Sequence, residues 1–367
     1  MTHFDLGFLG GGQLARMSIQ AAQRMGLSCL SLDPDPDSPA GQIAPSVVGK
    51  LGDPQAVRQL FDRCDRVTLE NEFIPAESIE SCPDHVHKML PSMEVLRVIQ
   101  DKLAQRQAFA RCRVPSPRAE AFTGEIPEGF QLPAMLKARF GGYDGKGTLT
   151  VRTLADIEAA RPRWEGGWWL IEDHVPFARE LAVMVYRTRG DTGTFPTVET
   201  VHVNHVCDLV RPCLADASAI AIAAVEAIGG YGLFGVELFE THGGEILVNE
   251  IAPRPHNSGH YTLDWGGVSQ FDQHVRLVAG LPLVKPEGFD VAMINLFGIE
   301  NAGDWRDGLR AALEDPAVRV HWYGKREPRP GRKMGHINVV EGPLRQRAET
   351  ARARFYQAWT ASARATH

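Results

Sequence analysis

The feature that most constrains this fold is the opening of the chain. An apolar run at residues 4–9 meets three consecutive glycines, Gly10-Gly11-Gly12, and helical spacing then runs from Gln13 to Met25. A strand that ends in glycines and passes directly into a helix is normally completed by a crossover to a parallel strand. The next apolar run, Leu27 to Leu32, ends at Asp33 and supplies that strand. A helix near Pro54–Cys64 and a strand at Val67-Thr68-Leu69-Glu70 repeat the alternation. Over about the first 100 residues the expectation is a doubly wound parallel sheet, hence an α/β class. After Pro115 and Pro117 the texture changes to short strands, glycine loops and hairpins, an α+β pattern. A helix around Ser218–Ile228 interrupts it, and a helical, arginine-rich tail runs from Arg345 to Ala365.

The first glycine loop leaves its ligand open. Gly10-x-Gly12-x-x-Ala15, with Asp33 downstream, satisfies the dinucleotide fingerprint, the acid being placed for a ribose hydroxyl. Free backbone amides at a helix N-terminus equally hold another phosphate or simply close a turn. No hydride-transfer constellation accompanies the loop.

A second loop says more. Lys137-Ala138-Arg139-Phe140-Gly141-Gly142-Tyr143-Asp144-Gly145-Lys146-Gly147-Thr148 lies between two strands and mixes four glycines with two lysines and an arginine. Such a hairpin can fold its amides over a polyphosphate while the lysine ammonium groups neutralise it. It is not a Walker loop, because a strand follows it. Further on, Gly235–Phe239 and Ile246–Glu250 flank a Thr241-His242-Gly243-Gly244 turn. Pairing Leu238 with Asn249 sets Glu237 opposite Glu250, a repulsion that a divalent cation with hard oxygen ligands relieves. Asn249 then points to the other face unless a bulge turns it inward. Pro253-Arg254-Pro255-His256-Asn257-Ser258-Gly259-His260 is a rigid polar loop suited to an anionic substrate, and Lys325 to Lys333 packs five cations into nine residues. Trp168 to Val175 is expected to be a buried strand running into a polar turn, with backbone groups free for an adenine edge. Glu180 follows within reach of a ribose, and Leu69 to Pro75, including Glu72, sits at a strand's C-terminal end.

Charge and cysteine use exclude several classes. A net charge of −6 gives no general pull toward nucleic acid or an anionic membrane. The N-terminus lacks a basic, then apolar, leader, and no apolar stretch approaches a membrane span. Six cysteines without a Cys-x-x-Cys pair are expected to be reduced in a cytoplasmic protein, and Cys207 with Cys213 lacks the second pair that zinc would need.

Taken in order along the chain, these segments resemble the ATP-grasp superfamily, and within it the 5-(carboxyamino)imidazole ribonucleotide synthase family. The segments are Gly10 to Leu14, Glu70-x-Glu72, Gln100-Asp101-Lys102, Lys137 with Gly141 to Gly147, Glu172 with Glu180, Glu199 with His202, Glu237, Asn249-Glu250, Pro253 to His260 and Lys325 to His336. The resemblance implies a pre-ATP-grasp domain at 1–102, an ATP-grasp domain at 103–298 with a lid at about 131–176, and a small C-terminal domain at 299–367. It implies an ATP-dependent carbon–nitrogen ligase that carboxylates 5-aminoimidazole ribonucleotide with bicarbonate through carboxyphosphate, using magnesium, two ions by family habit, and no biotin. A cytoplasmic homodimer is implied as well. ATP would be held by Lys102, Lys137, Gly142 to Thr148 (Tyr143, Asp144, Gly145, Lys146 and Gly147 included), Glu172, Asp173, His174, Val175, Glu180, His202, Asn249 and Glu250. Metal would be held by Glu237 and Glu250. Gly12, Gln13, Leu14, Glu72, Tyr143, Lys146, Arg254, His256, Asn257, Ser258, Lys325 and Arg332 would surround the ribonucleotide and bicarbonate, with Tyr143, Lys146 and Arg254 nearest the chemistry. Lys102 and Lys146 stand where the family also uses arginine, and Thr200 stands where asparagine is common. The competing readings are another ATP-grasp ligase, a dinucleotide-dependent oxidoreductase and a non-catalytic nucleotide-binding regulator.

Overall fold

The structure is a computed structural model that describes residues 2–142, 147–300 and 302–364. Its N-terminal strands are β1 (Phe4–Leu9), β2 (Cys29–Asp33), β3 (Ser46–Val48) and β4 (Cys64–Leu69), all parallel in the order β3-β2-β1-β4. β1 is almost wholly buried, which is why it reads as a continuous apolar run rather than an alternating one. Around this sheet lie α1 (Gln13–Arg24), α2 (Pro54–Asp62), α3 (Ala76–Glu80), α4 (Met93–Gln100) and α5 (Lys102–Arg111). Local chemistry sets the helix starts: Asp53 accepts the Gln55 amide at 2.9 Å ahead of Pro54, and Asp101 accepts the Leu103 amide at 3.0 Å.

A second sheet is antiparallel, in the order β5-β8-β6-β7, from β5 (Ala119–Phe122), β6 (Ala134–Ala138), β7 (Thr148–Val151) and β8 (Trp169–Asp173). Helices α6 (Leu154–Ala159) and α7 (Arg161–Trp164) cross between β7 and β8. The largest sheet has nine strands: β9 (Phe177–Arg187), β10 (Thr192–Thr194), β11 (Val198–Val203), β12 (Val206–Pro212), β13 (Gly232–Thr241), β14 (Ile246–Ala252), β15 (Ala292–Phe297), β16 (Val318–Trp322) and β17 (Lys333–Val339). Their order is β14-β13-β9-β11-β12-β15-β17-β16, with β10 on β9. Leu209 and Val210 of β12 pair with Ile294 and Met293 of β15, so the C-terminal strands extend this sheet rather than forming one of their own. Packed on it are α8 (Ser218–Ala227), α9 (Gln270–Ala279), α10 (Trp305–Ala312) and α11 (Leu344–Arg364).

Two expectations need correcting. The stretch from 118 to 300 holds more helix than the single segment near 218: α6, α7 and α9 also form, α9 behind a Ser269/Asp272 capping box and ahead of a left-handed Gly280 at φ 69°. Trp168 is not part of a buried strand. It stands outside β8, 70% exposed, and the Arg139 guanidinium lies 5.2 Å from its ring. Among the described residues no helix is long and apolar enough to cross a membrane.

Candidate active site

The site is built where β13 and β14 meet the ends of the other two sheets. Glu237 pairs with Glu250 across β13–β14, but Leu238 pairs with Val248, not with Asn249. Asn249 is the extra residue of a bulge, and its Oδ1 accepts from Lys137 Nζ at 3.4 Å. On the neighbouring strand Ala182 pairs with Glu237 and Thr200 with Glu180, so Glu180, Glu237 and Glu250 share one face. Burial and the carboxylates of Glu250 and Glu180 push Glu237 up to about 7, against Lys333 and Lys102. Burial pushes Glu180 to about 7 as well, with His202 Nδ1 at 3.3 Å from its Oε1. Glu250 goes the other way: burial raises it, but Lys102, with which it forms an ion pair, together with Lys137 and Arg106 outweighs burial and lowers it. The Glu237 and Glu250 side chains are still 29% and 40% exposed, so they reach solvent. Lys102 is positioned by its own amide, which donates to Arg139 O at 3.0 Å. Arg139 in turn forks onto Asp101, with Nε to Oδ1 at 2.9 Å and Nη2 to Oδ2 at 2.5 Å.

Beside this face lies a buried charge triad. Glu172 is 1% exposed, with Arg106 Nε on Oε1 at 2.7 Å and Lys137 Nζ on Oε2 at 2.6 Å. Burial raises the carboxyl, and the two cations outweigh it and hold it at about 2. The Glu172 carboxylate therefore faces the cations, and a purine at this strand end could use only backbone edges of 172–175. Asp173 pairs with Arg118 at 3.3 Å, and His174 and Val175 follow β8, partly exposed. Lys137 pairs with Thr148 across the β6–β7 hairpin, which carries Gly142 and Gly147 at its tip. Tyr143, Asp144, Gly145 and Lys146 lie outside the described residues.

The polar loop after β14 packs against this face. Arg254 forks onto Glu72, with Nε to Oε2 at 2.5 Å and Nη2 to Oε1 at 2.9 Å, which joins the loop to the end of β4. The His256 ring accepts the Ser258 amide at Nδ1 (3.4 Å), and the Ser258 hydroxyl lies 2.8 Å from the same atom. Burial, reinforced by Arg254 and Lys333, holds His256 well below the usual histidine range. The neutral ring thus carries its proton on Nε2, 3.3 Å from Glu237 Oε1. Asn257 and Asn295 exchange amide hydrogen bonds at 3.1 and 2.8 Å.

Several amides of the first glycine loop are taken up within the chain, the Gly10 amide by Leu32 O at 3.0 Å among them. Gly12 caps α1, and a Cβ there would lie 2.1 Å from Glu70 Oε1. Glu70 accepts from the Leu14 amide and from Asn71, while burial pushes its carboxyl upward. Gln13 follows Gly12 as the first residue of α1. Asp33 Oδ2 accepts the Gly11 amide at 2.9 Å instead of facing a ribose. The chain's own carboxylates thus occupy the positions of the dinucleotide fingerprint. Lys325 Nζ donates to Lys333 O at 2.8 Å, and Arg332 Nη1 to Glu327 O at 2.9 Å. Both cations line a cavity of about 350 Å³ with Asp35, Asp37 and Pro39 of the segment between β2 and β3. A larger cavity between α1 and α9, about 690 Å³, contains none of the sequence-predicted residues.

The sequence reading gave no role to Arg106, Asp101, Arg139, Asn295 or Gln270. The signal available for Arg106 was a charge set among Leu103, Ala108 and Phe109, the buried face of α5. Among the described residues no three His, Cys, Asp or Glu side chains converge as a protein-only metal centre. A cation on Glu237 and Glu250 would therefore draw its remaining ligands from phosphate or water, as magnesium does.

Comparison with known proteins agrees with this geometry. Residues 3–100 match the ribonucleotide synthetase preATP-grasp domain, 113–271 the ATP-grasp domain, and 291–350 the phosphoribosylaminoimidazole carboxylase C-terminal domain. This combination defines an ATP-grasp ligase. The chain is 38% identical to N5-carboxyaminoimidazole ribonucleotide synthase of Synechococcus elongatus, over 98% of this chain and 94% of that one. It is 37% identical to the Bacillus subtilis enzyme of the same name, over 92% of each. A crystal structure of N5-carboxyaminoimidazole synthase from Aspergillus clavatus, in complex with ADP and 5-aminoimidazole ribonucleotide, superposes with a TM-score of 0.87. Its identity is 33%, covering 97% of this chain and 98% of that one. The chain belongs to the N5-carboxyaminoimidazole ribonucleotide synthase family.

Proposed function

We propose that this chain carboxylates 5-aminoimidazole ribonucleotide with bicarbonate at the expense of ATP, releasing ADP and phosphate, in purine biosynthesis. The observation that carries the reading is the Glu237–Glu250 pair, opposed on one sheet face and flanked by Lys102 and by the Lys137–Glu172–Arg106 triad. Glu237 and Glu250 would hold magnesium, one or two ions, which supplies charge neutralisation at the transferring phosphoryl group. Lys102 and Lys137 bind phosphate oxygens, and the β6–β7 hairpin, with Tyr143 and Lys146 in its loop, closes over them. The segment 172–175 meets the adenine through its backbone, Glu180 and His202 meet the ribose, and Asn249 stands beside the phosphates.

Bicarbonate oxygen attacks the γ-phosphorus, the bond to the β–γ bridging oxygen breaks and ADP leaves. The exocyclic amine of the ribonucleotide then forms a bond to the carboxyl carbon, the bond to phosphate breaks and the amine loses a proton. Such transfers need positioning and charge stabilisation more than covalent help. Water must stay out while the mixed anhydride exists, which is the work of the hairpin lid. Arg254, held by Glu72, and His256, Asn257 and Ser258 line the acceptor side. Gly12, Gln13 and Leu14 bound it at α1, and Lys325 and Arg332 take its 5′-phosphate. We extend the reading to three domains at 1–102, 103–298 and 299–367, to a cytoplasmic location and to a homodimer, which sedimentation would check.

The test is ADP release with and without 5-aminoimidazole ribonucleotide at varied bicarbonate. Turnover that requires both is the expected result. ATP hydrolysis indifferent to the ribonucleotide would refute the acceptor assignment.

A further inference from the structure

Gln270 is the first residue of α9, and its side chain is fully buried. Burying an unpaired amide costs about 1–3 kcal/mol, so such a side chain persists where its hydrogen bonds are made. Here all of them go to one short segment. Gln270 Oε1 accepts the His256 amide at 2.9 Å, while Nε2 donates to His256 O at 2.9 Å and to His260 Nδ1 at 2.8 Å. The approach is close enough that a Cβ on Gly259 would lie 2.5 Å from Gln270 Oε1. The backbone of α9 reinforces it: the Gln270 amide donates to Thr262 Oγ1 at 2.9 Å, and that hydroxyl donates to Gly259 O at 2.6 Å. The helix itself is fixed by its capping box and by Asp272, which accepts Arg24 Nη2 of α1 at 2.8 Å.

What this anchoring holds in place is the His256 ring, fixed at Nδ1 by Ser258 and directed through Nε2 at Glu237 Oε1, 3.3 Å away. With a ring nitrogen 3.3 Å from one of its oxygens, the Glu237 carboxylate is held in rotation and its other oxygen is left for a cation. We infer that Gln270 is a positioning residue for the acidic pair: by clamping both backbone groups of His256 it orients Glu237 for metal and nucleotide. This rests on the reading of Glu237 and Glu250 as metal ligands.

The test measures Mn²⁺ binding in the presence of ADP by electron paramagnetic resonance, alongside the KM for magnesium, in Gln270→Met, His256→Phe and the double variant. Gln270→Met keeps length and apolar volume while removing every side-chain hydrogen bond. The expected result is about tenfold weaker Mn²⁺ binding in each single variant and no further loss in the double variant, because both act through one ring. Additive losses, or unchanged Mn²⁺ binding in Gln270→Met, would overturn the assignment. Should Gln270→Met fail to fold, hydrogen exchange in the unaltered protein decides: the His256 amide must be strongly protected, and rapid exchange there rejects the clamp. Glu250→Gln separates the two levels, since undiminished Mn²⁺ binding in that variant would defeat the metal reading itself, whatever Gln270 does.

Discussion

Replacing Arg106 with methionine tests the buried triad, because it removes one cation and keeps most of the side-chain volume. Arg106 and Glu172 are 5% and 2% exposed at their side chains and 2.7 Å apart. Removing one member of such a pair costs about 3–5 kcal/mol, chiefly because the surviving charge stays buried. Lys137 remains 2.6 Å from the other carboxylate oxygen, so Glu172 keeps one partner. The loss should therefore fall at the low end, about 3 kcal/mol, or about 6–12 °C in the unfolding midpoint of a unit this size. Function should change as well. Two cations on one carboxylate leave a net positive charge toward the phosphates, whereas Lys137 and Glu172 alone cancel. We expect a rise of about tenfold in the KM for ATP, equivalent to about 1.4 kcal/mol of binding. Urea unfolding of Arg106→Met, Glu172→Gln and the double variant closes a thermodynamic cycle. The double variant should be more stable than the sum of the singles predicts by about 2 kcal/mol, since neither Arg106 nor Glu172 is then left facing a missing partner and only Lys137, 14% exposed, loses its carboxylate. Additivity within about 0.5 kcal/mol, with an unaltered KM for ATP, would refute the triad's role.

Other expectations follow from neighbouring groups. Glu250→Gln should abolish magnesium-dependent turnover while leaving the unfolding midpoint within a few degrees, and retained activity would remove Glu250 from the metal site. Glu72→Gln strips Arg254 of its forked partner, so the KM for the ribonucleotide should rise about tenfold or more with that for ATP unchanged; equal effects on both substrates would contradict an acceptor-side role. His274 is buried, its Nε2 is 3.2 Å from Thr68 Oγ1, and burial lowers its pKa to about 4. The unfolded state then binds the extra proton first, so stability is complete above about 6.5 and declines as pH falls from there toward about 4. Between pH 7.5 and 5 the loss should be about 2 kcal/mol, and His274→Gln should flatten the pH profile of the unfolding free energy by that amount; an identical slope would show that His274 is not responsible.

Legibility in the sequence divides along range. Pairing Leu238 with Asn249 sets Glu237 opposite Glu250, and the structure has the carboxylate pair without that neighbouring one. The bulge beside it leaves no mark in the sequence, yet it re-registers Leu238 onto Val248 and turns Asn249 toward Lys137. Likewise the strand–glycine–helix opening announces a parallel sheet, but the group at the helix N-terminus is Glu70, delivered by β4 lying beside β1. A dinucleotide fingerprint records the backbone shape, not the occupant. Helix α9 was legible in principle: Ser269 and Asp272 form its capping box and Gly280 ends it.

The residues that resisted sequence reading are the buried polar supports, and the reason is physical. A lysine in a glycine loop or a pair of carboxylates on one hairpin carries its chemistry locally. Arg106, Asn295 and Gln270 carry none until their partners arrive. Arg106 meets Glu172 from 66 residues away, and Asn295 meets Asn257 from 38. Gln270 lies only 14 residues from His256, but the two meet because α9 is pinned against α1. Isolated in sequence, each resembles a polar residue on an amphipathic surface. In the folded chain, each would be costly to bury without its partner. Substituting these supports should therefore alter stability and metal or nucleotide binding together. Substituting the exposed cations they position should alter binding with little change in stability, and comparing the two sets separates support from contact.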